Sequence, residues 1–162
     1  MTIHIRSAQA ADAALIATLI RELADYEKLL HECHVTPEAI SNSLFGDKPQ
    51  AECVIAEWQG EAVGFALFFH NYSTFLAKPG LYLEDLFVRP AARGHGVGKA
   101  LLTHLARLAV ARGCGRFEWS VLDWNAPAIA FYESLGAKAQ TEWTIYRVTG
   151  EALTQLAAQA AA

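Results

Sequence analysis

Three glycines at alternate positions, Gly94, Gly96 and Gly98, stand between an apolar stretch and a segment with helical spacing. A turn of this kind exposes backbone N–H groups at the start of a helix, where the helix dipole is equivalent to about half a positive charge. Backbone donors beside positive charge are what a phosphate group requires. The spacing therefore predicts a phosphate-binding turn that leads directly into a helix.

Two common nucleotide-binding motifs do not fit this turn. The dinucleotide fingerprint G-x-G-x-x-G needs a third glycine, but Lys99 or Leu101 stands there, depending on which glycine begins the motif. The phosphate loop G-x-x-x-x-G-K-[ST] needs a glycine and a hydroxyl where the chain has Arg93 and Ala100. The sequence therefore excludes a dinucleotide fold and a phosphate-loop nucleoside triphosphatase.

Two neighbouring acids interrupt the apolar stretch before the turn. Strict strand alternation places Glu84 on the face that also carries Tyr82 and Leu86. Asp85 then faces the other way unless a bulge intervenes. Apolar residues flank both acids, which favours a functional carboxylate over a solvated acidic pair.

A second acid stands beside an aromatic ring at the end of the first predicted helix. Tyr26 and Glu27 combine a ring face with a carboxylate, a pairing that suits an ammonium group; the alternative is the solvated last turn of a helix. No metal site is expected, because His31, Cys33 and His34 have no second pair of ligands at a suitable spacing.

Periodicity and turn signals predict the elements that position these residues. Antiparallel strands come first, followed by strands that alternate with helices, and this order predicts a mixed sheet covered by helices, an α/β or α+β sandwich. We expect a single domain over residues 1–150 and an alanine-rich C-terminal tail over 151–162. In chain order we expect a strand at 3–5, a helix ending near 28, a short helix from 37, strands at 53–56, 63–69 and 81–88, a helix from 97, a strand at 117–122, a helix from about 126 and a last strand at 143–148.

Composition narrows the classes of function. The chain has 162 residues, of which 53% are hydrophobic, and this fits one domain with an ample core. Its net charge of −4 without a basic face argues against a nucleic-acid partner. The longest apolar stretch, 62–69, is far shorter than the roughly 20 residues of a membrane span, and the start does not resemble a secretory signal. We expect a cytoplasmic protein with no membrane partner.

The pattern Arg93-x-x-Gly96-x-Gly98 after a strand resembles a motif of the GNAT family of N-acetyltransferases, whose R/Q-x-x-G-x-G/A turn holds the pyrophosphate of acetyl-CoA. From residue 3 to about 150 the chain resembles the diamine acetyltransferase subfamily. The resemblance implies the GNAT acyl-CoA N-acyltransferase fold, with a mixed, mostly antiparallel central sheet flanked by helices. The stretches that follow the family's order are Glu22 to Glu27, Leu83-Glu84-Asp85, Asp123-Trp124-Asn125, Phe131-Tyr132 and Leu135-Gly136-Ala137.

The resemblance also implies roles for single residues. Acetyl transfer needs a neutral amine, and the family places its base at Glu84 and the acid that protonates the departing thiolate at Tyr132. The implied cofactor-binding residues are Leu86, Phe87, Val88, Arg93, Gly94, His95, Gly96, Val97, Gly98, Lys99, Asn125, Pro127, Ala128 and Tyr132. The implied substrate-binding residues are Tyr26, Glu27, Glu84, Asp85, Glu118, Trp119 and Ser120.

The loop after the third predicted strand bears on the choice of amine. The polyamine-specific branch carries an acid directly after its tyrosine, but here the loop reads Tyr72-Ser73-Thr74-Phe75, which resembles the branch that acetylates thialysine, a lysine analogue. We expect direct transfer from acetyl-CoA to a small primary amine, without a metal, in a homodimer that only the resemblance implies. A polyamine acetyltransferase is the alternative. A non-catalytic acyl-CoA sensor is a third reading, against which the presence of both Glu84 and Tyr132 argues.

Overall fold

Five strands in the first part of the chain pair into one sheet in the order in which they occur. All neighbours are antiparallel except the last pair, which is parallel. The computed structural model describes residues 2–161. The strands are β1 (Ile3–Ser7), β2 (Glu52–Trp58), β3 (Glu61–Ser73), β4 (Lys78–Val88) and β5 (Arg116–Trp119), and the helices are α1 (Ala13–Tyr26), α2 (Pro37–Phe45), α3 (Val97–Ala111), α4 (Ala126–Ser134) and α5 (Gly150–Ala157).

The chain divides into two compact units, the first ending at Leu122 and the second beginning at Asp123. The first unit holds the whole sheet with α1, α2 and α3, and the second holds α4 and α5. The expectation of a single domain over 1–150 stays a prediction. Within residues 2–161, no helix is both long enough and apolar enough to cross a membrane.

Apolar side chains cover both faces of the sheet. On one face, residues of α1 and α2 form a core with Ile55, Phe65 and Phe87. Alternation turns residues such as Phe68 to the other face, where α3 packs across the strands. Leu101 of α3, like Phe65, is completely buried. The helices therefore fix β4, and the segment that follows it, from both sides.

Local signals start two helices where the sequence predicts them. The backbone N–H of Ala39 donates to the Thr36 hydroxyl at 3.1 Å, and Pro37 occupies the first helical position of α2. The backbone N–H of Ala128 donates to Asn125 Oδ1 at 3.4 Å at the start of α4. Caps of this kind depend only on nearby residues, which is why the sequence shows them directly.

A bulge breaks the alternation of β4 at Glu84. Leu67 of β3 pairs with Asp85, but the next residue along β3 pairs with Leu83, so Glu84 is the extra residue. Asp85 consequently shares a face with Tyr82, the face that packs against α1. The expectation that Glu84 shares a face with Tyr82 and Leu86 is therefore wrong, because one inserted residue shifts the two-residue period.

Residues 143–148 do not form the predicted last strand. They have no regular secondary structure, and three large apolar side chains are exposed: Trp143 by 79%, Ile145 by 75% and Tyr146 by 93%. A strand needs a partner for its backbone groups, and no strand of residues 2–161 pairs with this segment. The alanine-rich tail contains most of a helix, α5, which begins at Gly150.

Candidate active site

The glycine turn, residues 94–98, begins α3 with backbone that favours glycine. Gly94 has φ of 80° and Gly96 has φ of 86°, both in the left-handed region. Gly96 is the N-cap of α3 and has no side chain to accept from the first turn. The first N–H groups of α3 have no partner within the helix, so they suit an anion. This geometry fits the pyrophosphate of the implied co-substrate.

The end of β2 supports the glycine turn through an aromatic contact. The ring of Trp58 stacks on His95, with 4.4 Å between centroids and 24° between planes. The sequence singles out His95 only as a member of the turn and does not point to Trp58 at all. The pairing arises from strand order, which brings the end of β2 near the segment after β4, and so carries no local signal.

Arg93 links the glycine turn to the acceptor candidates. Its Nε donates to the backbone carbonyl of Val88 at 2.9 Å, and its guanidinium carbon lies 4.7 Å from the ring centroid of Tyr26. The ring of Phe87 lies 5.6 Å away on β4. One side chain therefore contacts the last turn of α1, the end of β4 and the start of the turn.

The last part of β4 has hydrogen-bonding capacity left on one side. β5 pairs with β4 only over residues 80–83, whereas β3 pairs with it as far as Val88. Over residues 86–88, no other strand of the part of the chain that the structure describes pairs with the second edge. This edge can pair with an extended ligand. The assignment of Leu86, Phe87 and Val88 to a pantetheine arm stays a prediction.

Three carboxylates lie close enough to influence one another, and we call them the acid cluster: Glu27, Glu84 and Asp85. Burial, with smaller contributions from the charges of Glu84 and Glu27, raises the pKa of Asp85 to about 7. Burial also raises the pKa of Glu27, which directly follows α1. Glu84, the bulge residue, is exposed. Concentrated negative charge of this kind favours the binding of a cation.

Two of the expected substrate-binding residues in or next to β5 lie on the face of the sheet that carries Asp85. The hydroxyls of Ser120 and Tyr82 are hydrogen-bonded at 2.9 Å, and Tyr82 also packs against Phe69 with 5.3 Å between centroids. Glu118 pairs in register with Tyr82, while the ring of Trp119 makes an edge contact within β5. Tyr82 thus connects Ser120 to β4, the strand that carries Asp85. The sequence predicts no role for Tyr82 beyond its place on one face of this strand.

The second unit carries the remaining candidates on or beside α4. Asn125 caps this helix, and Pro127 and Ala128 occupy its first turn. Tyr132 lies in the following turns, with its ring 5.8 Å from that of Phe131. The described residues include no group of three or more histidines, cysteines or acids able to hold a metal ion.

The raised pKa of Asp85 predicts a pH-dependent stability. The folded chain holds this proton more tightly than the unfolded chain, whose carboxyl titrates near 3.8. The stabilising contribution of the Asp85 proton, up to about 4 kcal/mol, should therefore be lost as pH rises from about 4 to 7. Asp85→Asn should flatten this decline, measured as the free energy of unfolding in urea at several pH values.

Asp47→Asn, at an exposed loop acid, is the matched control and should keep the wild-type profile. An Asp85→Asn protein whose stability declines with pH as steeply as the wild type would contradict the assignment.

The chain matches the acetyltransferase (GNAT) family over residues 16–137. A thialysine N-epsilon-acetyltransferase of Sus scrofa is 38% identical over 167 residues, covering 96% of this chain and 98% of that protein. An L-ornithine N5-acetyltransferase of Arabidopsis thaliana is 34% identical over 195 residues, covering 93% and 86%.

Among solved structures, an integron cassette protein from the mobile metagenome of V. cholerae has a TM-score of 0.81 at 27% identity, covering 97% of this chain and 98% of that one. The expected fold, a mixed and mostly antiparallel sheet flanked by helices, is confirmed. The expected N-acetyltransferase class is confirmed as well. The chain belongs to the acetyltransferase (GNAT) family.

Proposed function

We propose that the protein transfers the acetyl group of acetyl-CoA directly to the side-chain amine of a small, lysine-like molecule such as thialysine. One observation carries this proposal. β4 leads from the acid cluster, along an edge that no described strand occupies, to the glycine turn. A cation site, a site for an extended arm and an anion site thus follow one another along a single stretch of chain.

The turn and the β4 edge are proposed to hold the co-substrate. Backbone N–H groups at residues 94–99 would bind the pyrophosphate, while Leu86, Phe87 and Val88 would pair with the pantetheine arm through their backbone. The thioester carbonyl develops negative charge during transfer, and backbone donors aimed at it would stabilise that charge. We assign Asn125, Pro127 and Ala128 to the same ligand on the resemblance alone.

The acceptor amine must lose a proton before it attacks. An alkylammonium with a pKa of about 10.4 stands roughly 3.4 units above pH 7, which corresponds to about 4.6 kcal/mol. We propose Glu84 as the base, acting directly or through a water molecule. Its exposed position on the bulge suits proton exchange with solvent. Asp85 and Glu27 are proposed to bind the ammonium, together with the ring of Tyr26. Glu118 and Trp119 of β5, and Ser120 directly after it, are proposed to take part as well.

The thiolate that leaves must gain a proton. A thiol has an ordinary pKa near 8.5 and a phenol one near 10, so a tyrosine can supply this proton. We propose Tyr132 for this role, because the family's pattern places its acid at this position of α4. No metal is required, since the chemistry consists of two proton transfers and one acyl transfer.

The turn between β3 and β4 favours a lysine-like amine over a polyamine. The hydroxyl of Ser73 accepts from the backbone N–H of Leu76 at 3.2 Å, and Ser73 is only 8% exposed. An acid at this position would bury a charge in place of a satisfied hydroxyl, at a considerable cost in free energy. Relatives named for thialysine and ornithine, both amino acids with a side-chain amine, agree with this choice.

A panel of amines mixed with acetyl-CoA should release free thiol, and the protein should prefer thialysine and other lysine analogues to spermidine. The initial rate of thiol release at equal amine concentrations measures this preference. Faster turnover of spermidine would replace the lysine-like substrate with the polyamine alternative. Binding of acetyl-CoA without thiol release from any amine would favour the sensor.

Two variants should separate the proton transfers. Glu84→Gln should change the pH profile of kcat/KM, since it removes the proposed base, whereas Tyr132→Phe should lower kcat by about a hundredfold or more. Steady-state rates measured between pH 6 and 10 test both effects.

Glu38→Gln on the surface of α2 and Tyr146→Phe, which keeps its ring, are the matched controls, and both original side chains are exposed. An unchanged pH profile in Glu84→Gln would transfer the role of base to another acid, with Asp85 next in line. Full turnover in Tyr132→Phe would remove the proposed acid.

We also propose that the protein acts as a homodimer in the cytoplasm, as the resemblance and the sequence lead us to expect. Exposed Trp143, Ile145 and Tyr146 lie in a segment with a strand-like pattern, and a second copy would give such a segment a partner. Sedimentation equilibrium should yield twice the chain mass of 17.7 kDa. Ile145→Lys should shift the protein towards monomer, whereas Thr141→Lys should not; a wild-type monomer would refute the dimer.

A further inference from the structure

Arg93 fixes a side chain that the proposed function assigns to the amine. Its guanidinium lies 4.7 Å from the ring centroid of Tyr26, a distance typical of a cation–π contact. Its Nε simultaneously donates to the carbonyl of Val88, which restrains the plane of the guanidinium against β4. A planar group held at one edge presents its face to the ring in a defined orientation, which a flexible ammonium could not do.

A second arginine holds the same helix one turn earlier. Arg89 makes a two-pronged ion pair with Glu22, at 3.0 and 2.9 Å. Glu22 and Tyr26 are four residues apart and so lie on the same face of α1, just as Arg89 and Arg93 are four apart after β4. The last two turns of α1 are therefore attached to the segment between β4 and α3 by two arginines, of which only Arg93 contacts a proposed acceptor residue.

We propose that Arg93 is a positioning residue for the acceptor amine, holding the ring of Tyr26 in the orientation in which it receives the ammonium. This inference rests on the proposed function and adds a role to the residue that opens the phosphate-binding motif. A single side chain thereby joins the co-substrate turn to the acceptor helix. Removing this contact should weaken the binding of the amine, even if the co-substrate still binds.

The position of Tyr26 explains why the contact matters. Tyr26 is the last residue of α1, its side chain is 40% exposed, and the guanidinium of Arg93 lies over its ring. Glu27 follows immediately, and its carboxylate is one of the acid cluster. An ammonium that contacts both groups needs the ring and the carboxylate in fixed relative positions. The contact with Arg93 restrains the ring.

A double-mutant cycle tests the proposal, with thialysine as the amine, or spermidine if lysine-like amines are not acetylated. At saturating acetyl-CoA, Arg93→Gln should raise the KM for the amine about two- to fivefold, the range expected for an exposed cation–π contact. In the Tyr26→Leu background the same change should have little further effect. In the Tyr26→Phe background, which keeps the ring, the effect should persist. A direct effect of Arg93 on acetyl-CoA would be the same in every background.

Arg112→Gln is the matched control. Like Arg93, Arg112 lies over an aromatic ring, that of Phe68 at 6.0 Å, and like Arg89 it makes a two-pronged ion pair, here with Glu52. This variant should leave the KM for both substrates unchanged. Arg93→Lys, which keeps the charge but lacks the planar group, repeats the cycle if Arg93→Gln does not fold.

The outcomes are distinct. An active wild type in which Arg93→Gln raises the amine KM equally with and without the ring at position 26 overturns the positioning role and leaves the proposed function intact. A wild type that acetylates no amine overturns the proposed function, and this inference with it.

Discussion

The pairing of β4 is the constraint on which the rest of the site depends. β3 accompanies β4 to its end, but β5 leaves after residue 83, and one inserted residue at Glu84 lies at the point of divergence. Had β5 continued, its backbone would occupy the groups at residues 86–88. Had the bulge been absent, Tyr82 and Asp85 would lie on opposite faces of β4. The free edge and the shared face of Tyr82 and Asp85 therefore both begin where β5 ends and the bulge lies.

Opposite charges are kept apart along this strand. The acid cluster precedes the unpaired edge, while Arg89, Arg93 and the first N–H groups of α3 follow it. Burial already raises the pKa of Asp85, so a cationic ligand beside it would stabilise the ionised carboxylate and lower this pKa. Composition gives only the net charge of −4, whereas the structure shows that three of the acids lie together in the acid cluster.

Local features could be predicted from the sequence, and features that depend on partners could not. The glycine turn and the caps at Thr36 and Asn125 follow from residues close together in the chain. The bulge at Glu84 depends on how β3 and β4 match, and the stack of Trp58 on the turn depends on strand order. The same reasoning explains the error over residues 143–148, whose pattern is that of a strand. An alternating pattern shows that a segment can form a strand, but the strand forms only where a second strand pairs with it.

The donors of the glycine turn belong to the backbone, and this determines which substitutions the turn can absorb over evolutionary time. Positive φ at Gly94 and Gly96 excludes almost any side chain there without strain. At the intervening position the backbone N–H is present whatever the side chain is. The side chain of His95 stacks on Trp58 and so contributes to the packing of the turn. The N–H groups proposed to bind the anion depend on the backbone conformation of the turn, so the side chains around them can change without removing these donors.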